Sequence, residues 1–318
     1  MSEQLPPLIT LLGPTAAGKT ALSLALAERF DGEIVSADSR LIYRGMDIGT
    51  AKPTPAEQAR VPHHLLDVTT PDRPLTLAEY QRMAYAAIDD IHQRGRIPFL
   101  VGGSALYLRA VIEGLRIPEV PPNPKLRAEL EAFAEAEGHA ALHQRLAELD
   151  PVGAAQIDGR NVRRVVRALE IVLETGQPKS ALEGADPPPY HILRLGLEVE
   201  RETLHTRIVE RVHQMVDAGL VEETARLLAV GYAPNLPALS SLGYREIGQH
   251  LRGELTLEEA VERICIETNR FVRHQSTWFR RMADVCWIEW NRPSRDAVVE
   301  SVGLFLRGGG ASDRDSTG

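Results

Sequence analysis

Residues 8–13 (LITLLG) form a short apolar run that stops at glycine, and after a polar loop the segment KTALSLALAERF spaces its apolar residues along one face of a helix. The order is strand, loop, helix. Residues 33–38 (EIVSAD) and 98–104 (PFLVGGS) repeat the short apolar run that ends in polar residues or glycine, with 63–68 (HHLLDV) a weaker candidate strand. Between the last two lies TLAEYQRMAYAAIDDIHQRG, where Thr76 and Glu79 have capping-box spacing and Gly95 supplies the stop. Strands alternating with helices in this way predict a parallel α/β sheet.

The texture then changes. Proline-rich stretches at 117–124 and 184–190 enclose a segment, 125–176, with helical periodicity only. It reads as an all-helical insert, so the expected division is a core of 1–117 with 190–318 and an insert of 118–189. Residues 192–199 look like a returning strand, two long helical patterns follow near 201–229 and 256–283, and 285–290 (VCWIEW) is a candidate closing strand. Thr256 and Glu259 again have capping-box spacing. The tail at 308–318 has the composition of a disordered segment.

Composition adds mainly exclusions. The chain of 318 residues is 43% hydrophobic and 25% charged, and it has no run near the roughly 20 apolar residues that a membrane span needs. Residues 1–7 lack the features of a secretory signal, so the expected location is the cytoplasm. Cys265 and Cys286 stand apart from any cysteine or histidine cluster, which argues against structural zinc and disulfides. The net charge of −8 counts against a uniformly basic nucleic-acid-binding surface. Local clusters must decide that point.

The sharpest chemical signal is GPTAAGKT: Gly13, Pro14, Thr15, Ala16, Ala17, Gly18, Lys19 and Thr20 match GxxxxGK[ST] between a strand and a helix. In such a loop successive backbone N–H groups face a phosphate and the helix adds its positive end. Lys19 brings a point charge, and the Thr20 hydroxyl can ligate Mg²⁺. The fold class expected is therefore α/β, a P-loop NTPase-like parallel sheet core with the helical insert. A hydrolytic NTPase would add an apolar strand ending in a metal-holding Asp. Asp67 follows only two leucines, so the pattern favours group transfer. Asp38, at the end of the second strand, is the best-placed acid, because carboxyl ends of parallel strands line the ligand crevice.

With GPTAAGKT, the blocks SADSRLIYRGMDIGTAKP (36–53), PHHLLD (62–67), LVGGSALYLRA (100–110), RALE (167–170), LGYRE (242–246) and RHQSTWFRR (273–281) resemble, in this order, the bacterial tRNA dimethylallyltransferases. The likeness spans about 8–290. It implies transfer of a dimethylallyl group from dimethylallyl diphosphate to the exocyclic amine of the adenosine just 3′ of the anticodon. It further implies that Gly13 to Thr20 hold the diphosphate, with Asp38 as general base, Ser104 where the family usually has Thr, and Arg211 near the leaving oxygen. Its tRNA-contacting segments fall on Asp38, Ser39, Arg40 and Leu41; on Arg163, Arg164, Val165, Val166 and Arg167; on Ser240, Ser241, Leu242, Gly243, Tyr244 and Arg245; and on Arg273, His274, Gln275, Ser276, Thr277, Trp278, Phe279 and Arg280. The partners implied are the tRNA anticodon loop and the prenyl donor, with Mg²⁺ as cofactor and the protein a monomer.

Two departures stand out. Ser104 keeps the hydroxyl of Thr without the methyl, and Leu41 replaces a frequent Gln. Two other functions share parts of the pattern. A small-molecule or nucleotide kinase would use the same loop for ATP, and a nucleotide-dependent RNA-binding module would use it without chemistry. The DSRLIYRGMDIGTAKP block separates the chain from kinases. The arginines of 163–167 and 270–281 supply positive faces suited to RNA.

Overall fold

The computed structural model describes residues 5–289 and 294–308. Along the chain run β1 (Pro7–Leu12), α1 (Lys19–Arg29), β2 (Gly32–Ser36), α2 (Pro55–Arg60), β3 (His63–His64), α3 (Leu77–Gln93), β4 (Ile97–Gly102) and α4 (Ala105–Ile112). There follow β5 (Leu115–Arg116), α5 (Pro124–Glu137), α6 (His139–Leu149), α7 (Pro151–Ala155), α8 (Val162–Thr175), α9 (Lys179–Leu182) and β6 (Gly184–Ala185). The last part holds β7 (His191–Glu198), α10 (Arg201–Asp217), α11 (Leu220–Ala229), α12 (Tyr244–Leu251), α13 (Leu257–Phe279), β8 (Cys286–Glu289) and α14 (Ser294–Leu306).

Six strands form one sheet in the order β3-β2-β4-β1-β7-β8, and every neighbouring pair is parallel. In β1, residues 8–12 are all buried, as expected of a strand covered on both faces. Its register sets Leu12 beside Gly102 of β4 and Gly196 of β7. Leu11, Leu22, Leu26, Ile34, Phe99, Leu195 and Ile264 belong to the core that joins this sheet to its helices. The expected capping boxes at Thr76 and Thr256 are both formed. Among the described residues, no helix is long and apolar enough to cross a membrane.

Several expectations need correction. The strand expected at 63–68 is two residues long, because Leu65 and Asp67 take positive φ angles of 63° and 54°, and such backbone cannot continue a strand. The helical pattern at 201–229 is two helices. Gly219, at φ 101°, breaks it where a side chain would be strained. The final helical pattern stops at Phe279, short of 283. Of the expected tail, 309–318 lies outside the described residues.

Contacts divide the chain into Met1–Leu108 with Pro189–Gly318, and Arg109–Pro188. The first boundary falls inside α4, earlier than the expected 117/118. The second unit is not wholly helical, because β5 and β6 form a short antiparallel pair within it. Leu130, Leu142, Leu146, Val165, Val166 and Leu169 make its core. Asn123, Asp150 and Asn161 cap α5, α7 and α8 with side-chain acceptors. Buried Glu170 accepts hydrogen bonds from the Asn123 N–H and from Arg127 and Arg167.

In the sheet unit, Glu223 of α11 does a related job for the segment 46–52. Its buried carboxylate accepts from the backbone N–H groups of Asp47, Ile48 and Gly49 and from the Tyr244 hydroxyl. Lys52 then donates to the Tyr43 carbonyl and pairs with Asp47 and Asp67. A carboxylate holding several N–H donors is worth more than neutral hydrogen bonds, so this irregular segment is fixed from within.

Candidate active site

The loops that follow β1, β2 and β4 converge at the carboxyl end of the sheet. β1 leads into the phosphate loop. Gly13 adopts φ 155°, and a Cβ there would stand 3.2 Å from the Leu197 Cβ, so the loop leaves the strand against β7. Gly18, at φ 96°, opens α1 without a side-chain cap, and the first-turn N–H groups are therefore not consumed by a capping side chain. Lys19 Nζ donates to the carbonyls of Gly13 (2.9 Å) and Pro14 (2.8 Å), which hold the ammonium at the loop.

Beyond the last residue of β2, the ladder with β4 continues. Ala37 N–H donates to the Val101 carbonyl at 2.7 Å, and Ser104 N–H donates to the Ala37 carbonyl at 3.2 Å. Gly102 makes this approach possible, since a Cβ on it would meet the Ala37 oxygen at 2.0 Å. Asp38 comes next. Its Oδ1 accepts the Arg40 N–H at 2.9 Å, a local turn that fixes the carboxylate. A carbon built on Gly103 would lie 3.7 Å from Asp38 Oδ2 and 3.7 Å from Lys19 Nζ, so the acid and the ammonium face the same spot.

Ser104 does not stand alone at this place. Its hydroxyl accepts from the Ser39 N–H (2.9 Å) and donates to Ser39 Oγ (3.1 Å), which ties the β4–α4 turn to the residue after Asp38. The hydroxyl thus makes a bond that the missing methyl of Thr would not supply.

Three charges act on one another. Burial pulls the Lys19 ammonium down to about 8, with the Asp38 carboxylate opposing that shift and the Arg211 guanidinium adding to it. Burial likewise lowers Arg211, on α10, against the pull of Asp38. Such a site favours an added anion, because a diphosphate would offset the two cations that now compete for one carboxylate. Tyr80 and Tyr107 stack with centroids 3.8 Å apart. Burial raises both phenols, and Asp38 contributes to the rise in each.

Thr20 is exposed in the first turn of α1. Among the described residues no group of three or more His, Cys, Asp or Glu could hold a metal. Mg²⁺ commonly keeps several waters and takes one or two protein ligands beside substrate phosphates, so a single hydroxyl at the loop fits that ion. Asp67, the weak candidate for a hydrolytic acid, is paired with Lys52 at 2.5 Å.

The residues expected to meet a macromolecule separate by burial. Arg163, Arg164, Ser240, Arg245, Arg273, His274, Thr277 and Arg280 are exposed, while Ser39, Arg40, Leu41, Arg167, Leu242, Ser276 and Trp278 are half-buried. Val165, Val166, Ser241, Gly243, Tyr244, Gln275 and Phe279 are buried. Val165, Val166, Tyr244, Gln275 and Phe279 lie on the inward faces of α8, α12 and α13, while Ser241 and Gly243 are buried in the turn before α12. Some exposed or half-buried arginines also have protein partners: Arg167 donates to the Val120 carbonyl, Arg245 to Glu246 and Arg40 to the Pro237 carbonyl.

One correction concerns the phosphate loop itself. Thr15 N–H donates to Gln275 Oε1 at 3.0 Å, so that amide is committed to the protein. Gln275 was expected only as part of an RNA-facing block. Its burial could have been read from the apolar positions 264, 272 and 279 on the same helix. Glu223 carries no local signal, and Tyr107 only its place in the block 100–110.

A family model described as IPP transferase matches residues 41–282. A protein of Thermomicrobium roseum named tRNA dimethylallyltransferase is 54% identical over 301 residues, covering 93% of this chain and 92% of that protein. One of a Roseiflexus species with the same name is 53% identical and covers 88% and 92%. The crystal structure of the full-length tRNA isopentenylpyrophosphate transferase of Bacillus halodurans is 40% identical, with a TM-score of 0.69 over 95% of this chain and 96% of that one. A eukaryotic dimethylallyltransferase acting on tRNA has a TM-score of 0.84 at 24% identity, a likeness of fold. Identity above half, carried across about nine-tenths of both sequences, means that the chain belongs to the IPP transferase family.

Proposed function

We propose that the protein transfers the dimethylallyl group of dimethylallyl diphosphate to the exocyclic N6 amine of the adenosine 3′-adjacent to the anticodon in tRNA, releasing pyrophosphate. The observation that carries this reading is the placement of Asp38 Oδ2 and Lys19 Nζ around one point, with the phosphate loop on one side. It supplies a proton acceptor and a leaving-group cradle within one small space.

The chemistry follows from those two halves. The N6 lone pair attacks the allylic carbon, the carbon–oxygen bond to diphosphate breaks, and the amine proton passes to Asp38. Because the adenine lone pair is delocalised into the ring, removal of that proton as the bond forms lowers the barrier. Loop N–H groups, Lys19 and Arg211 stabilise the charge that gathers on the departing diphosphate. Thr20, with diphosphate oxygens and water, would hold Mg²⁺, which neutralises part of that charge when bound. The loop keeps the phosphate and gives up the carbon.

An adenosine in a tRNA loop is stacked, so the enzyme must extrude it to reach N6. Exposed Arg273, His274 and Arg280 on and just beyond α13, and Arg163 and Arg164 on α8, suit the RNA backbone. These positions fall in the blocks 163–167 and 273–281. In this reading the enzyme acts as a monomer. With tRNA as substrate, the proposed place of action is the cytoplasm.

Asp38→Asn should keep the turn to Arg40 but remove the proton acceptor. We expect single-turnover transfer to fall by about 10²- to 10⁴-fold with tRNA affinity retained; unchanged transfer would remove Asp38 from the chemistry. In the free site the Lys19 ammonium loses its proton as pH rises through about 8, and a bound diphosphate favours the protonated form. Affinity for dimethylallyl diphosphate alone should therefore decline above that pH. Lys19→Arg, which keeps its proton, should show no such decline. Identical profiles for the two proteins would contradict the assignment. Replacing Arg273 and Arg280 together by Ala should weaken tRNA binding and reduce the slope of log affinity against log salt by about 1.5, without changing donor affinity. Equal loss of both affinities would point to a folding defect instead of an RNA contact.

A further inference from the structure

The amide of Gln275 is buried, at 6% exposure, and both of its ends are used. Nε2 donates to the Gly103 carbonyl at 2.8 Å, and Oε1 accepts the Thr15 N–H at 3.0 Å. A backbone carbonyl can only accept and a backbone N–H can only donate, so the partners themselves fix which way the amide faces. Those partners lie in different loops. Thr15 is in the phosphate loop after β1, and Gly103 is in the turn after β4.

From Gly103 the connection runs on towards the acid. The next residue, Ser104, bonds the Ser39 N–H and hydroxyl, and Ser39 follows Asp38. A continuous path of hydrogen bonds and short backbone links thus joins the diphosphate cradle to the carboxylate, with one side-chain amide as the strut between the two loops. A carbon built on Gly103 would stand 2.8 Å from Gln275 Nε2 and 3.7 Å from both Asp38 Oδ2 and Lys19 Nζ. The strut therefore crosses beside the point where the acid and the ammonium meet.

We propose that Gln275 is a positioning residue for the transfer reaction: its amide sets the spacing between the phosphate loop and Asp38, and hence between the leaving group and the proton acceptor. Displacement at carbon requires nucleophile, carbon and leaving oxygen to be aligned, and a misplacement of about 1 Å can cost about 10²-fold in rate. Two loops fixed independently would hold donor and acceptor well and align them poorly. Binding survives loss of the strut; alignment does not. The assignment rests on the prenyl-transfer reading above, and it takes Gln275 out of the set of RNA contacts expected from the sequence.

The test is steady-state and single-turnover transfer from dimethylallyl diphosphate to unmodified tRNA by the wild-type protein, Gln275→Leu and Gln275→Glu, with Ser104→Ala made in the wild-type and Gln275→Leu backgrounds. An inactive wild-type protein would overturn the reaction and this proposal with it. Given an active one, Gln275→Leu, which loses both bonds, should lower kcat by about 100-fold while KM for each substrate stays within about threefold. Gln275→Glu matches the shape and keeps the acceptor for the Thr15 N–H, but its ionised carboxylate would face the Gly103 carbonyl with no proton to donate, so it too should lower kcat, by about tenfold or more, with KM for each substrate kept. It carries the test should the leucine variant fail to fold. Ser104→Ala should cost less in the Gln275→Leu background than in the wild type, because both residues serve one path. A raised KM for tRNA with kcat unchanged would mark Gln275 as an RNA contact and overturn the proposal. Unchanged kinetics, or fully additive losses with Ser104→Ala, would overturn it as well.

Discussion

A side-chain carbon on Gly102 would stand 2.0 Å from the carbonyl oxygen of Ala37, and that close backbone approach is the constraint on which the site depends. It lets the hydrogen-bond ladder between β2 and β4 run past both strands, through Ala37 N–H to Val101 and Ser104 N–H to Ala37. Asp38 and Gly103 are then neighbours because their strands cannot separate. Since β1 lies beside β4 in register, the phosphate loop opens at the same level. Three short connections meet where the sheet ends, which is where ligands bind in parallel α/β folds.

The electrostatics of that meeting point suit an added anion. One carboxylate faces Lys19 and Arg211, both of which are lowered from their ordinary values by burial. In the proposed reaction a diphosphate would supply the missing negative charge, and more of it as the carbon–oxygen bond breaks, so cationic stabilisation would grow towards the transition state. Asp67, where an NTPase reading would look for a metal-holding acid, is bound to Lys52. The segment that carries Lys52 is held in turn by Glu223 through three backbone N–H groups. Asp67 is here part of the scaffold around Lys52.

The local features of this site are legible in the sequence, and the long-range ones are not. Gly13, Gly18 and Lys19 declare themselves by spacing within eight residues, and Asp38 by its place at the end of an apolar run. Thr76 and Thr256 mark their helices through residues three positions on. Glu223 has no such signal, because its backbone partners are 174 to 176 residues earlier in the chain. The expected strand at 63–68 fails for a related reason: the positive φ angles at Leu65 and Asp67 belong to a segment tied to Lys52, which no local pattern reveals. Gln275 is an intermediate case. Helical periodicity on α13 places it inside, but only the folded chain brings Thr15 and Gly103 to its two ends.

The phosphate loop by itself suits ATP as well as a prenyl donor, and the surrounding residues decide between them. The most direct measurement is the mass of unmodified tRNA after incubation with the protein, Mg²⁺ and either dimethylallyl diphosphate or ATP. We expect a gain of one prenyl unit on the adenosine next to the anticodon with dimethylallyl diphosphate, and no change with ATP. Phosphate transfer to the RNA or hydrolysis of ATP, without prenylation, would contradict the assignment of the loop to a leaving diphosphate.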